Sequence, residues 1–198
     1  MTKATKHTRA LTGTAMLAAV ATILMYMEFP IPIMPGFIKM DISELPALIA
    51  SFAYGPLSGI AVCLIKNLIK LPSSSTAAVG ELFNFVMGAL FVGVAGIVYK
   101  KNKTRKGAII GAVAGALIMA LVSLPYNYFV VYPAYVVMYH LPLEAIIGMY
   151  QAINPNVNGL LACLVTFNVP FTFAKGMVDA LLCFLIYKPL SPILHGRK

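Results

Sequence analysis

The chain has 198 residues, 60% of them hydrophobic, with 15 Lys and Arg against 6 Asp and Glu, a formal net charge of +9 and a mean hydropathy of +0.87. One soluble domain of this length cannot bury so much apolar surface, so most of it faces lipid. The basic residues gather in three clusters beside apolar runs rather than along one face, which excludes a nucleic-acid binder. Cys63, Cys163 and Cys183 sit in apolar runs without metal or redox spacing, which excludes a disulfide framework.

Lys3, Lys6 and Arg9 precede a first apolar run, Ala10 to Met27. This start resembles a signal peptide, with Ala19-Val20-Ala21 as a cleavage mimic. A cut there would fall inside the run and more spans follow, so an uncleaved first transmembrane helix is predicted. On it, Ala15 and Ala19 have small-xxx-small spacing, which permits close approach of another helix in lipid, whether from this chain or a partner. Next comes an irregular outer segment, Phe29 to Asp41, stiffened by Pro30, Pro32 and Pro35 beside Gly36.

Ile42 to Leu71 reads either as one span or as two short ones broken at Gly55-Pro56. Charge decides. Lys and Arg are retained on the cytoplasmic side, and only two spans here keep Lys100 to Lys106 inside with the first cluster. After a short outer connection, Pro72 to Ser75, come spans at Thr76 to Tyr99 and Gly107 to Val131, each about 20 residues or more. A third outer connection, roughly Pro133 to Val157, carries Leu143 to Ala152 as a short surface helix. The last span, Asn158 to Tyr187, leads to the third basic cluster, Lys188 to Lys198. The prediction is an all-α membrane protein: a single integral membrane domain, 1–198, of six transmembrane helices, two of them short, with both termini cytoplasmic. No Gly-rich phosphate loop is present, so ATP-driven movement of a solute requires another polypeptide.

Polar residues inside the spans mark candidate chemistry. Lys175 and Asp179 share a helical face and either neutralise each other or leave Lys175 pointing into a polar cavity. Thr172 and Asn168, one and two turns earlier, extend a polar stripe. Glu81 and Asn84 open the fourth long segment behind Ser73-Ser74-Ser75-Thr76, where the serines serve either as a helix cap or as part of a site. Asn127 lies at the same depth. The aromatics Phe29, Phe37, Phe83, Phe85, Tyr126, Tyr128, Phe129, Phe171 and Phe173 gather at this level, as an interfacial belt or as the wall of a pocket suited to a flat heterocycle with a hydroxylated tail. An enzymatic reading on Glu81, Asp179, His140 or His195 is disfavoured, because these groups are dispersed and lack metal spacing.

The order of motifs Ile31-Pro32-Ile33-Met34-Pro35-Gly36-Phe37-Ile38-Lys39-Met40-Asp41, Ser43-Glu44-Leu45-Pro46, Gly55-Pro56-Leu57-Ser58-Gly59, Lys66-Asn67, Gly80-Glu81-Leu82-Phe83-Asn84-Phe85 and Pro170-Phe171-Thr172-Phe173-Ala174-Lys175-Gly176 resembles the substrate-binding S component of energy-coupling-factor (ECF) transporters, riboflavin-specific type. The resemblance implies a non-enzymatic, multi-pass subunit of a prokaryotic plasma membrane that captures riboflavin, or its phosphate FMN, under the first outer loop. It implies no catalytic cofactor and no metal. Its partners would be a transmembrane T component, met by the Ala15 and Ala19 face, and two ATPase subunits. By the same resemblance Phe37, Ile38, Lys39 and Met40 line the flavin ring, while Glu81, Asn84, Asn127, Thr172 and Lys175 contact the ring edge or the ribityl hydroxyls. Thr172 departs from the family pattern, where an asparagine amide is expected. An S component for thiamine or pantothenate, or a stand-alone carrier, is the alternative.

Overall fold

The computed structural model describes residues 3–74 and 76–195; Ser75 of the serine run and the side chains of the terminal basic residues other than Arg9, with His195, lie outside the described residues. Helix α1 (Lys3–Tyr26) leads to a minimal antiparallel pair, β1 (Phe29–Pro30) and β2 (Lys39–Met40), in the register Phe29 opposite Met40 and Pro30 opposite Lys39. Then follow α2 (Glu44–Tyr54), α3 (Pro56–Lys70), α4 (Val79–Lys101) and α5 (Arg105–Tyr126). A π-helical turn at Asn127–Val131 carries α5 into α6 (Tyr132–Tyr139), and α7 (Leu143–Gln151) follows. A second π turn, Leu164–Asn168, joins α8 (Gly159–Cys163) to α9 (Val169–His195). Four stretches are long and apolar enough to cross a bilayer: His7–Tyr26, Val79–Lys101, Arg105–Met138 and Gly159–Tyr187. This is a membrane protein, and its outward aliphatics, such as Leu11, Met16, Ile23, Leu121 and Leu185, are largely exposed for lipid contact.

The break expected at Gly55-Pro56 is present. Gly55 takes φ 108°, a conformation closed to side chains, and Pro56 occupies the first turn of α3, where its missing N–H costs nothing. At 1.5 Å per residue α2 and α3 rise only about 16 and 22 Å, short of a bilayer core of about 30 Å. Helix α2 is covered by protein, with nine consecutive residues, Glu44 to Phe52, buried, while α3 buries one face and leaves Leu57, Leu64, Leu68 and Ile69 exposed on the other. At the far end of α2 Phe52 meets Tyr99 of α4 edge-on at 5.0 Å.

Small residues bring α4 and α5 together. A Cβ on Gly111 would stand 2.7 Å from the Ala95 carbonyl oxygen and one on Gly115 would meet that of Phe91, while the buried Ala116 faces Gly176 of α9. The α4–α5 turn is fixed by Thr104, whose Oγ1 accepts from the Gly107 N–H at 3.0 Å, while Lys100 and Lys101 sit at the C-terminal end of α4, where the helix dipole favours cations.

Two expectations are corrected. The span predicted to end at Val131 continues helically to Tyr139, because the π turn absorbs the extra residue that lets Pro133 sit in the first turn of α6. The predicted surface helix at 143–152 is α7, and it is partly internal: Tyr150 and Ile146 are buried in a second core cluster with Val131, Tyr132 and Leu164. The Gly55 conformation yields a direct test. A Cβ there meets nothing within 4 Å, so Gly55→Ala probes backbone strain alone and is expected to cost about 1–3 kcal/mol in detergent unfolding, whereas Gly148→Ala, with the same open space and ordinary φ, leaves the melting temperature unchanged or raised.

Candidate functional site

At the end of the bundle opposite the Asn102 to Thr104 turn, the C-terminal ends of α1 and α5, the N-terminal ends of α4 and α9, and the 29–41 loop surround a cavity that is open on one side. Its wall mixes aromatic faces (Phe37, Phe83, Phe171, Tyr132, Tyr135) with polar groups (Glu81, Asn84, Asn127, Asn168, Thr172, Lys175), the composition of a small-molecule site. Of the residues singled out from sequence, Phe37, Ile38, Lys39, Glu81, Asn84, Asn127, Thr172 and Lys175 all line this one space. Met40 is buried and does not line it. Ala15 and Ala19 are exposed on α1, while Ala18 and Ala21 face the interior.

The floor is ionic. Lys175 does not pair with Asp179, its neighbour one turn away; its Nζ lies 2.8 Å from Asp41 Oδ2 and 3.2 Å from Glu44 Oε2. Of the two sequence readings, the i, i+4 pair loses to two carboxylates brought from the loop end and from the start of α2, and Lys175 lines the cavity. Lys66, fully buried, donates to Glu44 Oε1 at 2.6 Å and to Ser43 Oγ, and Ser43 in turn bonds Asp41 through both its hydroxyl and its N–H. One hydrogen-bonded chain therefore runs from α3 through α2 and the loop to α9. The Asp179 carboxyl is completely buried, and neither oxygen has a hydrogen-bond partner among the described residues.

Glu28 anchors the loop from its other side, accepting from Lys39 at 2.8 Å and Lys70 at 2.5 Å. Burial pushes the Glu28 carboxyl up, but the two ammonium groups outweigh it and hold the group below the ordinary carboxylate range. The four lysines outside the basic clusters, Lys39, Lys66, Lys70 and Lys175, are thus all paired, and Glu28, Asp41 and Glu44 take them all. Sequence reasoning passed over these carboxylates. Their one signal was that lysines embedded in apolar spans need partners.

Several wall groups have a visible assignment. Asn127 donates its Nδ2 to the Ser123 carbonyl at 2.8 Å, which turns Oδ1 into an acceptor for a ligand. Glu81 accepts from Ser74 Oγ at 2.6 Å and Thr76 Oγ1 at 3.0 Å through Oε2. The same hydroxyls receive the N–H groups of Ala78 and Gly80, so they cap the start of α4 while holding Glu81 at the cavity wall. Both π turns end or begin on a cavity amide, Asn127 and Asn168, a common use of π-bulges at functional sites.

Two predictions follow from the ionic floor. Lys66→Met leaves Lys175 alone to balance both Asp41 and Glu44 and is expected to cost about 3–5 kcal/mol in detergent unfolding, because one buried carboxylate charge stays uncompensated. Glu28, whose folded carboxyl is depressed, contributes stability that is present above the ordinary carboxylate range and lost as pH falls through the lowered folded value. Melting temperature followed from about pH 6 to about pH 3 is expected to fall more steeply in wild type than in Glu28→Gln.

Comparison with known proteins agrees with this geometry. A family model described as the substrate-specific component of ECF transporters matches residues 9–187. Riboflavin transporter RibU of Staphylococcus aureus (strain TCH60) is 33% identical over 180 residues, 91% of this chain and 89% of that one. Riboflavin transporter FmnP of Bacillus subtilis (strain 168) is 33% identical over 187 residues, 93% of each. A solved structure of the S component of a bacterial ECF transporter superposes with a TM-score of 0.74 at 31% identity, covering 95% of this chain and 98% of that one. With the family model spanning nearly the whole length, and two relatives above 30% identity end to end, this chain belongs to the substrate-specific components of ECF transporters.

Proposed function

We propose that this chain is the riboflavin-binding subunit of an ECF-type transporter: it takes up riboflavin in the cavity beneath the 29–41 loop and hands it to a transport complex. The observation that carries the ligand is the division of the wall. A flat isoalloxazine ring calls for aromatic and aliphatic faces, supplied by Phe37, Ile38, Phe83 and Phe171, and the ribityl hydroxyls call for mixed donors and acceptors, supplied by Glu81, Asn84, Asn127, Thr172 and Lys175. Lys39 lines the mouth of the same space. Met40 serves from behind, as the buried end of the strand pair that shapes the loop. Thr172 carries one hydroxyl where the family pattern has an amide, so it makes one shorter contact. The riboflavin transporters named above support the same ligand, and the family is one of transport proteins rather than enzymes.

In this reading the chain forms one domain of six spans in a bacterial plasma membrane, with α2 and α3 as the short pair. The Lys100 to Lys106 side and both termini face the cytoplasm, following the positive-inside rule, and the cavity opens outward. ATP is hydrolysed on two partner ATPase subunits coupled through a T component, which docks on the exposed Ala15 and Ala19 face of α1, where small side chains allow close helix approach.

Quenching of flavin fluorescence by the purified chain tests the ligand. Saturation at one riboflavin per chain is expected, with FMN as a competitor and thiamine and pantothenate inert; no quenching by any flavin overturns the assignment. Asn127→Ala, which removes one acceptor from the wall, is expected to weaken riboflavin binding about tenfold without changing the melting temperature by more than a few degrees.

A further inference from the structure

Asn168 lines the cavity, and both ends of its amide are engaged by tyrosines. Its Oδ1 accepts from Tyr150 Oη at 2.7 Å, its Nδ2 donates to Tyr132 Oη at 3.2 Å, and the two tyrosine hydroxyls bond each other. Because the Tyr150 proton is committed to Asn168, Tyr132 is the donor in the third bond. The three bonds then run head to tail around a closed ring, an arrangement in which each bond polarises the next. All three residues are buried, and they come from three elements: α6, α7 and the π turn before α9.

The ring of hydroxyls fixes the tilt of the aromatic faces attached to it, and those faces hold a residue of the first loop. Phe37 meets Tyr132 at 6.4 Å and 76° and Tyr150 at 6.2 Å and 81°, edge-to-face in both cases. Tyr135 adds a third edge-on contact at 6.4 Å. The loop is tethered at its two ends by ion pairs, Glu28 with Lys70 and Asp41 with Lys175, and Phe37 near its middle sits in this socket.

We propose that Asn168, Tyr150 and Tyr132 are positioning residues that set how long the bound molecule stays: their hydrogen-bonded ring shapes the socket that keeps Phe37, and with it the loop, over the cavity. They act through Phe37, and Tyr150, which does not line the cavity, is the member that can act in no other way. The proposal rests on the reading of the cavity as a flavin site, and its test separates the two.

Release of riboflavin from the full-length chain in detergent is followed by stopped-flow fluorescence for wild type, Tyr150→Phe, Phe37→Ala and the double variant, with Tyr132→Phe as a second opening of the ring. Each single variant is expected to raise koff about three- to tenfold while kon stays within about twofold. In the Phe37→Ala background, Tyr150→Phe is expected to add nothing, because the socket has lost its occupant. Unchanged koff in both ring variants, or the same increase from Tyr150→Phe with and without Phe37, overturns the proposal. The chain contains no tryptophan, so Phe37→Trp introduces a single indole that reads the socket without ligand. Its emission is expected to shift to the red when Tyr150→Phe is added; an unshifted emission overturns the proposal even if no flavin binds, whereas absence of flavin binding with the expected shift indicts the ligand assignment and not the socket.

Discussion

An ammonium group inside an apolar helix bundle stands only where a carboxylate meets it, and that requirement organises this protein. Lys66 and Lys175 leave the spans they belong to with a charge that hydrocarbon cannot solvate. Asp41 and Glu44, separated by two residues at the end of the first loop and the start of α2, receive both. The short helix pair gains its fixed position from the same bonds, since α2 and α3 lack the length to be held by the bilayer. A polar floor follows without further design: where the ion pairs sit, apolar packing stops, and the cavity begins above them.

The walls reflect a second constraint, which is that a helix in lipid must satisfy its own backbone while still presenting amides inward. Two π turns meet it. Each adds a residue to the helical path without opening the backbone to lipid, and each places an asparagine on the cavity side. The two amides then diverge. Asn127 spends a donor on its own helix and keeps its oxygen as an acceptor, while Asn168 commits its oxygen and one N–H to tyrosines. Residues that line a pocket together can therefore divide into those that contact a ligand and those that hold the cover.

Much of this was legible in the sequence, and the boundary of legibility has a physical cause. Apolar run lengths located the four long spans, Gly55-Pro56 located the break between the short helices, and Glu81, Asn84, Asn127, Thr172 and Lys175, read as polar groups at one level, do line one cavity, whereas Ile38 and Lys39 were named by the family resemblance alone. What periodicity could not supply was partner choice across the chain. Lys175 and Asp179 share a face, so local spacing pairs them, yet the lysine bonds Asp41, 134 residues away. The π turns left no composition signal, and so the continuation of α5 into α6 past Pro133, and the burial of Tyr150 on α7, became visible only in three dimensions.

The central claim is that a flavin lies between the aromatic cover and the ionic floor. Experimental structure determination of the chain with riboflavin present tests it most directly. The account predicts the ring between Phe37 and the α4 wall, the ribityl chain reaching Asn127 and Lys175, and the Asp41–Lys175 contact still closing the floor. A flavin bound elsewhere, or Lys175 turned toward lipid with side chains filling the cavity, would contradict it.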